Sequence, residues 1–172
     1  MRVAAIDTDT KQIAWAVVEL GGPESSTFMS GSIKAKGRRA EDRFPGLMKS
    51  FREFVPLWWR NDWVYLELPA YTRNAGATIS QSVMLGGLSA VLLEAGLNFS
   101  YVNNTVWKKA LLGAGNATKD QIRAWVKACY GDAPNSQDEC DALAIAQWGL
   151  NNFLHTPLVG AGDTLPLDEA GS

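Results

Sequence analysis

The sequence predicts a mixed α/β domain, a five-stranded sheet with helices on both faces. Three observations predict it. Short β-rich apolar runs come first as a cluster and then singly between helical patterns. The helical segments repeat apolar residues at spacings of three and four. Strands followed by alternating strand and helix give a sheet layered with helices. The 172 residues, 47% hydrophobic and 20% charged, suit one soluble domain with a sizeable core.

Residues 3–7 and 13–20 read as a hairpin around a turn at 8–12, and 26–33 alternates as a third strand after GGPESS. From 39 to 59, Phe44, Leu47, Met48, Phe51, Phe54, Val55 and Trp58 make an amphipathic helical stripe. Pro45 fits if that helix proper begins near it, and Pro56 bends or ends it. WVYLEL at 63–68 is a buried strand stopped by Pro69. Residues 78–95 form a helix apolar on nearly all sides, buried in the core or against a partner subunit, and NFSYV at 98–102 is the fifth strand. TKDQ at 118–121 and SQDE at 136–139 are capping boxes that open the last two helices. The domain therefore spans residues 1–155, with 156–172 read as a flexible acidic tail.

Composition narrows the function. A net charge of −2 argues against a uniformly basic nucleic-acid binder. Bases still cluster in KAKGRR, in WKK, and at Lys119, Arg123 and Lys127, which leaves room for a local basic face. The longest apolar stretch, 82–96, is short for a bilayer and interrupted by serine, glycine and glutamate. The N-terminus lacks the basic-then-apolar layout of a leader. Cys129 and Cys140, with no CxxC, read as two buried thiols in a reduced, cytoplasmic protein.

The acids carry the chemistry. Asp7 and Asp9 alternate at the end of the first strand and so face one way, as turn residues, ion-pair partners or metal ligands. Glu67 ends a buried strand with no local reason to be charged, at the place where α/β sheets put ligand sites. Asp138 and Asp141, three apart, share one face in the first turn of a helix, where the dipole favours acids. Asp138 alone is also an ordinary first-turn acid, and Glu139 serves as the back half of its capping box. Convergence of these acids would demand cations, and oxygen ligands select Mg²⁺ or Mn²⁺. Two such ions suit in-line hydrolysis of a phosphodiester.

AIDTDTKQIAWAVVE, VYLELP, VWKKALLGAGNATKDQIRAWV and QDECDALAIA, in that order, resemble the four signature stretches of the RuvC-type Holliday junction resolvases, the crossover junction endodeoxyribonucleases. The resemblance covers most of residues 1–150. It implies an RNase H-like fold and a homodimer that nicks opposed strands of a four-way DNA junction. It also implies two Mg²⁺ ions, with Mn²⁺ as substitute, held by Asp7, Glu67, Asp138 and Asp141 as both catalytic and metal-binding residues. The family's DNA-contacting lysines fall on Lys108 and Lys119, and its dimer helix on residues 78–95.

Three departures mark a divergent member, of bacterial or phage origin, with the bacterial or phage-infected host cytoplasm as its location. Thr8 and Asp9 stand where the family has proline and glycine, leaving Asp9 as a fifth ligand or a residue bent toward solvent. The family's junction-wedging aromatic falls on Ala70, with Tyr71 beside it as the substitute DNA contact. VMLGG lacks the family's arginine. Alternatives are an RNase H-fold nuclease acting on flaps, forks or replication branches, or a nuclease-dead junction-binding protein. An actin-like nucleotide-binding fold would need a larger chain. Trp107 is a candidate for base or sugar stacking. Arg38 and Arg39 read as a solvated turn and His155 as a surface histidine.

Overall fold

The computed structural model describes residues 1–22, 25–58, 62–69 and 74–155. Five strands, β1 (Arg2–Thr8), β2 (Gln12–Gly22), β3 (Ser25–Lys34), β4 (Trp63–Glu67) and β5 (Phe99–Val102), form one sheet in the order β3-β2-β1-β4-β5. The first three pair antiparallel, with Asp7 opposite Ala14 and Gln12 opposite Lys34. β4 joins β1 in parallel, with Ile6 beside Leu66, and β5 continues the parallel half.

Side-chain alternation divides the core into two layers. Val3 and Ala5 of β1 and Tyr65 of β4 face the helices α3 (Asn104–Leu112), α4 (Lys119–Tyr130) and α5 (Gln137–His155). Ala4, Ile6, Val64 and Leu66 face α1 (Ala40–Trp58) and α2 (Ala75–Glu94). The expected mixed sheet with helices on both faces is therefore the observed one.

α5 lies nearest the sheet. Its residues from Ala142 to Ala146 are wholly buried, four of the five being alanine or leucine. At Gly149 an added Cβ would stand 2.3 Å from Tyr65 Cε2. Small residues along one helix face thus set a close approach that a larger side chain would prevent.

α1 departs from expectation at Pro45. It starts at Ala40, ahead of Pro45, and runs through Pro56 to Trp58. Asp42 accepts a hydrogen bond from the Arg39 N–H, and acids in the first turn favour that end. The wholly buried Leu47 and Phe51 then hold the helix to the sheet despite the backbone bonds the prolines omit.

α3 is a helix the strand and helix patterns do not single out. Its ends are nonetheless marked: the Asn103 side chain accepts from the Thr105 N–H, and Gly113 closes it with φ 77°. Nine residues are too few for an amphipathic stripe to show.

α2 buries Met84, Leu88, Val91 and Leu92 against α1 and the sheet but leaves Ile79, Val83 and Leu93 exposed. With 20 residues and a mean hydropathy of 1.4 it is long and apolar enough for a bilayer by length and composition, so the sequence reading of an interrupted stretch understates it. Its inner stripe is committed to the core. Cys140 is buried as expected, whereas Cys129 is exposed; both are free.

Candidate active site

Strand register builds half of the site. Residues 3, 5 and 7 of β1 face α5, as do 63, 65 and 67 of β4. One step past the Ile6–Leu66 pairing, Asp7 and Glu67 therefore end two parallel strands side by side on the α5 face. α5 supplies the other half, because Asp138 and Asp141 lie on one side of its first turns. Carboxylate oxygens of Asp7, Asp138 and Asp141 lie within 4.8 Å of one another. All four acids line one cavity of about 260 Å³.

Four acids concentrate negative charge there against a single lining lysine, Lys119, among the described residues. Burial, and then the charge and hydrogen bond of Glu67 and the charges of Asp141 and Asp138, hold the Asp7 carboxyl well above the usual range. Asp141, 8% exposed, is pushed up to about 6, chiefly by burial and secondarily by Glu67. Its hydrogen bond from Gln137 and the charges of Lys108 and Lys119 pull the other way. Removing several carboxylates from water costs free energy that mutual repulsion increases. A proton or a multivalent cation among them relieves both terms, and an all-oxygen donor set fits a hard ion such as Mg²⁺ or Mn²⁺.

Neighbouring side chains hold these acids in place. Trp107 of α3 donates its indole N–H to Glu67 Oε1 at 2.9 Å. Gln12, at the start of β2, donates its amide to Asp138 Oδ2. Gln137 donates to Asp141 Oδ1 at 2.8 Å from one turn earlier on α5. The helix start is itself tied down: Ser136 caps the Glu139 N–H, and Glu139 accepts hydrogen bonds from Ser136 and from Ser30 of β3. Glu139 thus points away from the acidic cavity, as the capping reading requires.

Other expectations meet a different outcome. Asp9 lies past the end of β1, so alternation does not carry to it. Its Oδ1 accepts the N–H groups of Lys11 and Gln12 at 2.6 and 2.9 Å, which makes it the residue that folds the β1–β2 turn at the cavity rim. Trp107 is wholly buried and offers no face to a base, which overturns its reading as a stacking platform. Lys119 lines the cavity beside the acids. Lys108 Nζ sits 5.2 Å from the centre of the Trp107 ring, and its charge reaches Asp141. Ala70, Tyr71 and residues 156–172 lie outside the described residues, as does the side chain of His155.

Sequence reasoning missed Gln12 and Gln137 as partners of the acids. Gln137 was within reach, since i and i+4 on a helix are neighbours. Gln12 carries no local signal, because its contact depends on how α5 docks across β2.

Comparisons with known proteins give the family. The family model described as crossover junction endodeoxyribonuclease RuvC matches residues 3–148. Crossover junction endodeoxyribonuclease RuvC of Ruegeria pomeroyi is 30% identical over 148 residues, covering 85% of this chain and 88% of that protein. That of Trichlorobacter lovleyi is 30% identical over 160 residues, covering 89% and 86%. Among solved structures, Thermus thermophilus RuvC in complex with a Holliday junction substrate superposes with a TM-score of 0.74 at 25% identity, covering 86% of this chain and 92% of that one. The yeast mitochondrial Holliday junction resolvase shares the fold alone, with a TM-score of 0.59 at 11% identity over 85% of this chain and 77% of its own. With the family model matched over most of the chain and two relatives at 30% identity, the chain belongs to the crossover junction endodeoxyribonuclease RuvC family.

Proposed function

We propose that this chain is a structure-selective endodeoxyribonuclease that resolves four-way DNA junctions as a homodimer, using two Mg²⁺ ions per site. The observation that carries the reading is the convergence of Asp7, Glu67, Asp138 and Asp141 on one cavity that Lys119 also lines. Divalent ions bound by those four carboxylates would supply Lewis-acid activation of water and offset the charge that develops on the phosphodiester.

The chain's own residues do the rest. Asp7 and Glu67, fixed at adjacent strand ends, and Asp138 and Asp141, fixed on one helix turn, present their oxygens toward the scissile phosphate. Lys108 and Lys119 flank the acids and hold the approaching backbone, which the carboxylates alone would repel. Tyr71, beside the position of the family's wedging aromatic, is the residue assigned to the junction centre.

Paired nicks need two sites related by a two-fold axis. Support for a dimer comes from α2, whose Ile79, Val83 and Leu93 stay exposed. An apolar hollow of about 220 Å³ adjoins that stripe, lined by Phe44, Ile79, Val83 and Met84. A surface of this kind suits a second copy of the same helix.

The test is cleavage of a mobile four-way junction beside flap, fork and RNA–DNA hybrid substrates, with and without Mg²⁺. The junction should be cut in symmetric pairs only with the metal. Asp138→Asn or Glu67→Gln should lower cleavage by at least ~10²-fold, a few kcal/mol of lost transition-state stabilisation, while binding survives. Full cleavage by Asp138→Asn in Mg²⁺ sinks the assignment. Preference for flaps or forks moves the substrate to other branched DNA, and binding without any cut identifies a nuclease-dead member.

A further inference from the structure

Three of the four acids accept hydrogen bonds from donors on three separate elements, and two of these donors lie outside α5. Trp107 on α3 takes Oε1 of Glu67, and Gln12 on β2 takes Oδ2 of Asp138. Gln137, the third, is a neighbour on α5 itself. Each donor engages one oxygen of its carboxylate, and Glu67 is also hydrogen-bonded to Asp7. A carboxylate with one oxygen committed has lost most of its freedom to rotate. Ordering is therefore completed before any ligand arrives.

Trp107 is suited to this task. It is wholly buried, so its ring cannot swing, and a buried indole N–H needs an acceptor. A backbone carbonyl would satisfy that need as well; here the acceptor is the acid beside Asp7. The same ring carries the Lys108 ammonium over its face, 5.2 Å from the centroid. One rigid side chain thus sets the position of an acid and of a flanking cation. Gln12 plays the matching part across the site. Asp9 folds the β1–β2 turn through the Gln12 N–H, and that turn delivers the Gln12 amide to Asp138.

We propose that Trp107 and Gln12 are positioning residues of the acidic site, acting on divalent-cation binding through Glu67 and Asp138. The proposal rests on the reading of the four acids as the cation site. Outer donors of this kind are worth about 10–100-fold in metal affinity where they have been removed.

The test uses the full chain without DNA. Mg²⁺ and Mn²⁺ binding is titrated by calorimetry for wild type, Trp107→Phe, Gln12→Met and Glu67→Gln. Trp107→Phe keeps an aromatic ring in the core while removing the N–H and part of the bicycle's volume. The expected result is affinity about tenfold weaker for each of the first two variants, and a larger loss for Glu67→Gln. In ¹⁵N-labelled wild type, the indole cross-peak that vanishes in Trp107→Phe should move when Mg²⁺ is added, and should stay fixed in Glu67→Gln. The peak is followed in wild type and Glu67→Gln, where the Trp107 side chain is intact, and Gln12→Met tests the second donor independently. On the junction, both variants should lower the rate at saturating DNA while leaving binding in Ca²⁺ unchanged. Wild-type affinity in Trp107→Phe and Gln12→Met, beside a clear loss in Glu67→Gln, overturns the positioning role and leaves the metal site standing. A wild-type protein that binds neither ion overturns both.

Discussion

The two faces of the sheet are packed to different ends. On the α5 face, Ala142 to Ala146 are wholly buried, and Gly149 leaves no room for a Cβ beside Tyr65. On the other, α2 holds the core with one stripe and exposes Ile79 and Val83 at 63% and 51%, while a Cβ at Gly86 would meet nothing within 4 Å. The tight face carries all four acids; the open one carries none. Placing carboxylates to within fractions of an ångström requires a helix that cannot shift against its strands, and small-residue packing supplies that. A surface meant for another molecule requires apolar area left uncovered.

The largest expected effect comes from forcing the tight face apart. Gly149→Val should cost ~3 kcal/mol or more, because the added atoms meet a ring wedged between helix and sheet. Denaturant unfolding measures it, and a loss below ~1 kcal/mol would mean that α5 can move against its strands.

Next in size is the open face. Ile79→Asp with Val83→Asp should leave the monomer folded and raise the dimer dissociation constant by ~10²-fold or more, about 3 kcal/mol. Light scattering across a dilution series reads it; an unchanged dimer would place the interface elsewhere. The monomer should also nick junctions singly instead of in pairs.

A third prediction follows from the charge on the tight face. Asp141 is raised to about 6 in the folded state, against about 3.9 for an unperturbed aspartate. Between those values the folded protein holds a proton that the unfolded chain has lost. Stability of the metal-free protein from this group is thus fully present below about pH 4 and is lost as pH rises to about 6. The span amounts to about 2–3 kcal/mol, and Asp7 adds in the same direction. Unfolding in EDTA at several pH values, compared with Asp141→Asn, should show the slope in wild type and its flattening in the variant. A wild type that gains stability over that interval relative to Asp141→Asn contradicts it.

The smallest effect is Gly86→Ala. Open space at that Cβ leaves only helix propensity, so the monomer should gain up to ~1 kcal/mol. A loss measured at concentrations where the chain is monomeric would show that the open face is less open than it looks.

Much of this was legible in the residues, for physical reasons that differ from one to the next. Alternation and spacing are local, so Asp7, Glu67 and the pair Asp138 and Asp141 could each be assigned a direction from sequence. The parallel register then brings the first two together without further assumptions. Asp9 lines the same cavity as Asp7, but from the turn just past the strand end, a boundary that alternation does not reveal. α3 escaped because a short helix has no periodic stripe. Trp107 was misread for a related reason: nothing in WKK says which way an indole turns until α3 is seen to lie beside Glu67. Pro45 argued for a later start to α1 than the one that forms, since buried contacts at Leu47 and Phe51 outweigh its missing backbone bond.

The parallel pairing of β1 and β4, with α5 laid across it, has a consequence for how the molecule comes to life during synthesis. Asp7 emerges from the ribosome first, yet its partners stand at Glu67 and, last of all, at Asp138 and Asp141. A nascent or truncated chain that stops short of α5 holds at most two of the four acids. The acidic cavity is thereby incomplete until almost the whole domain has been made.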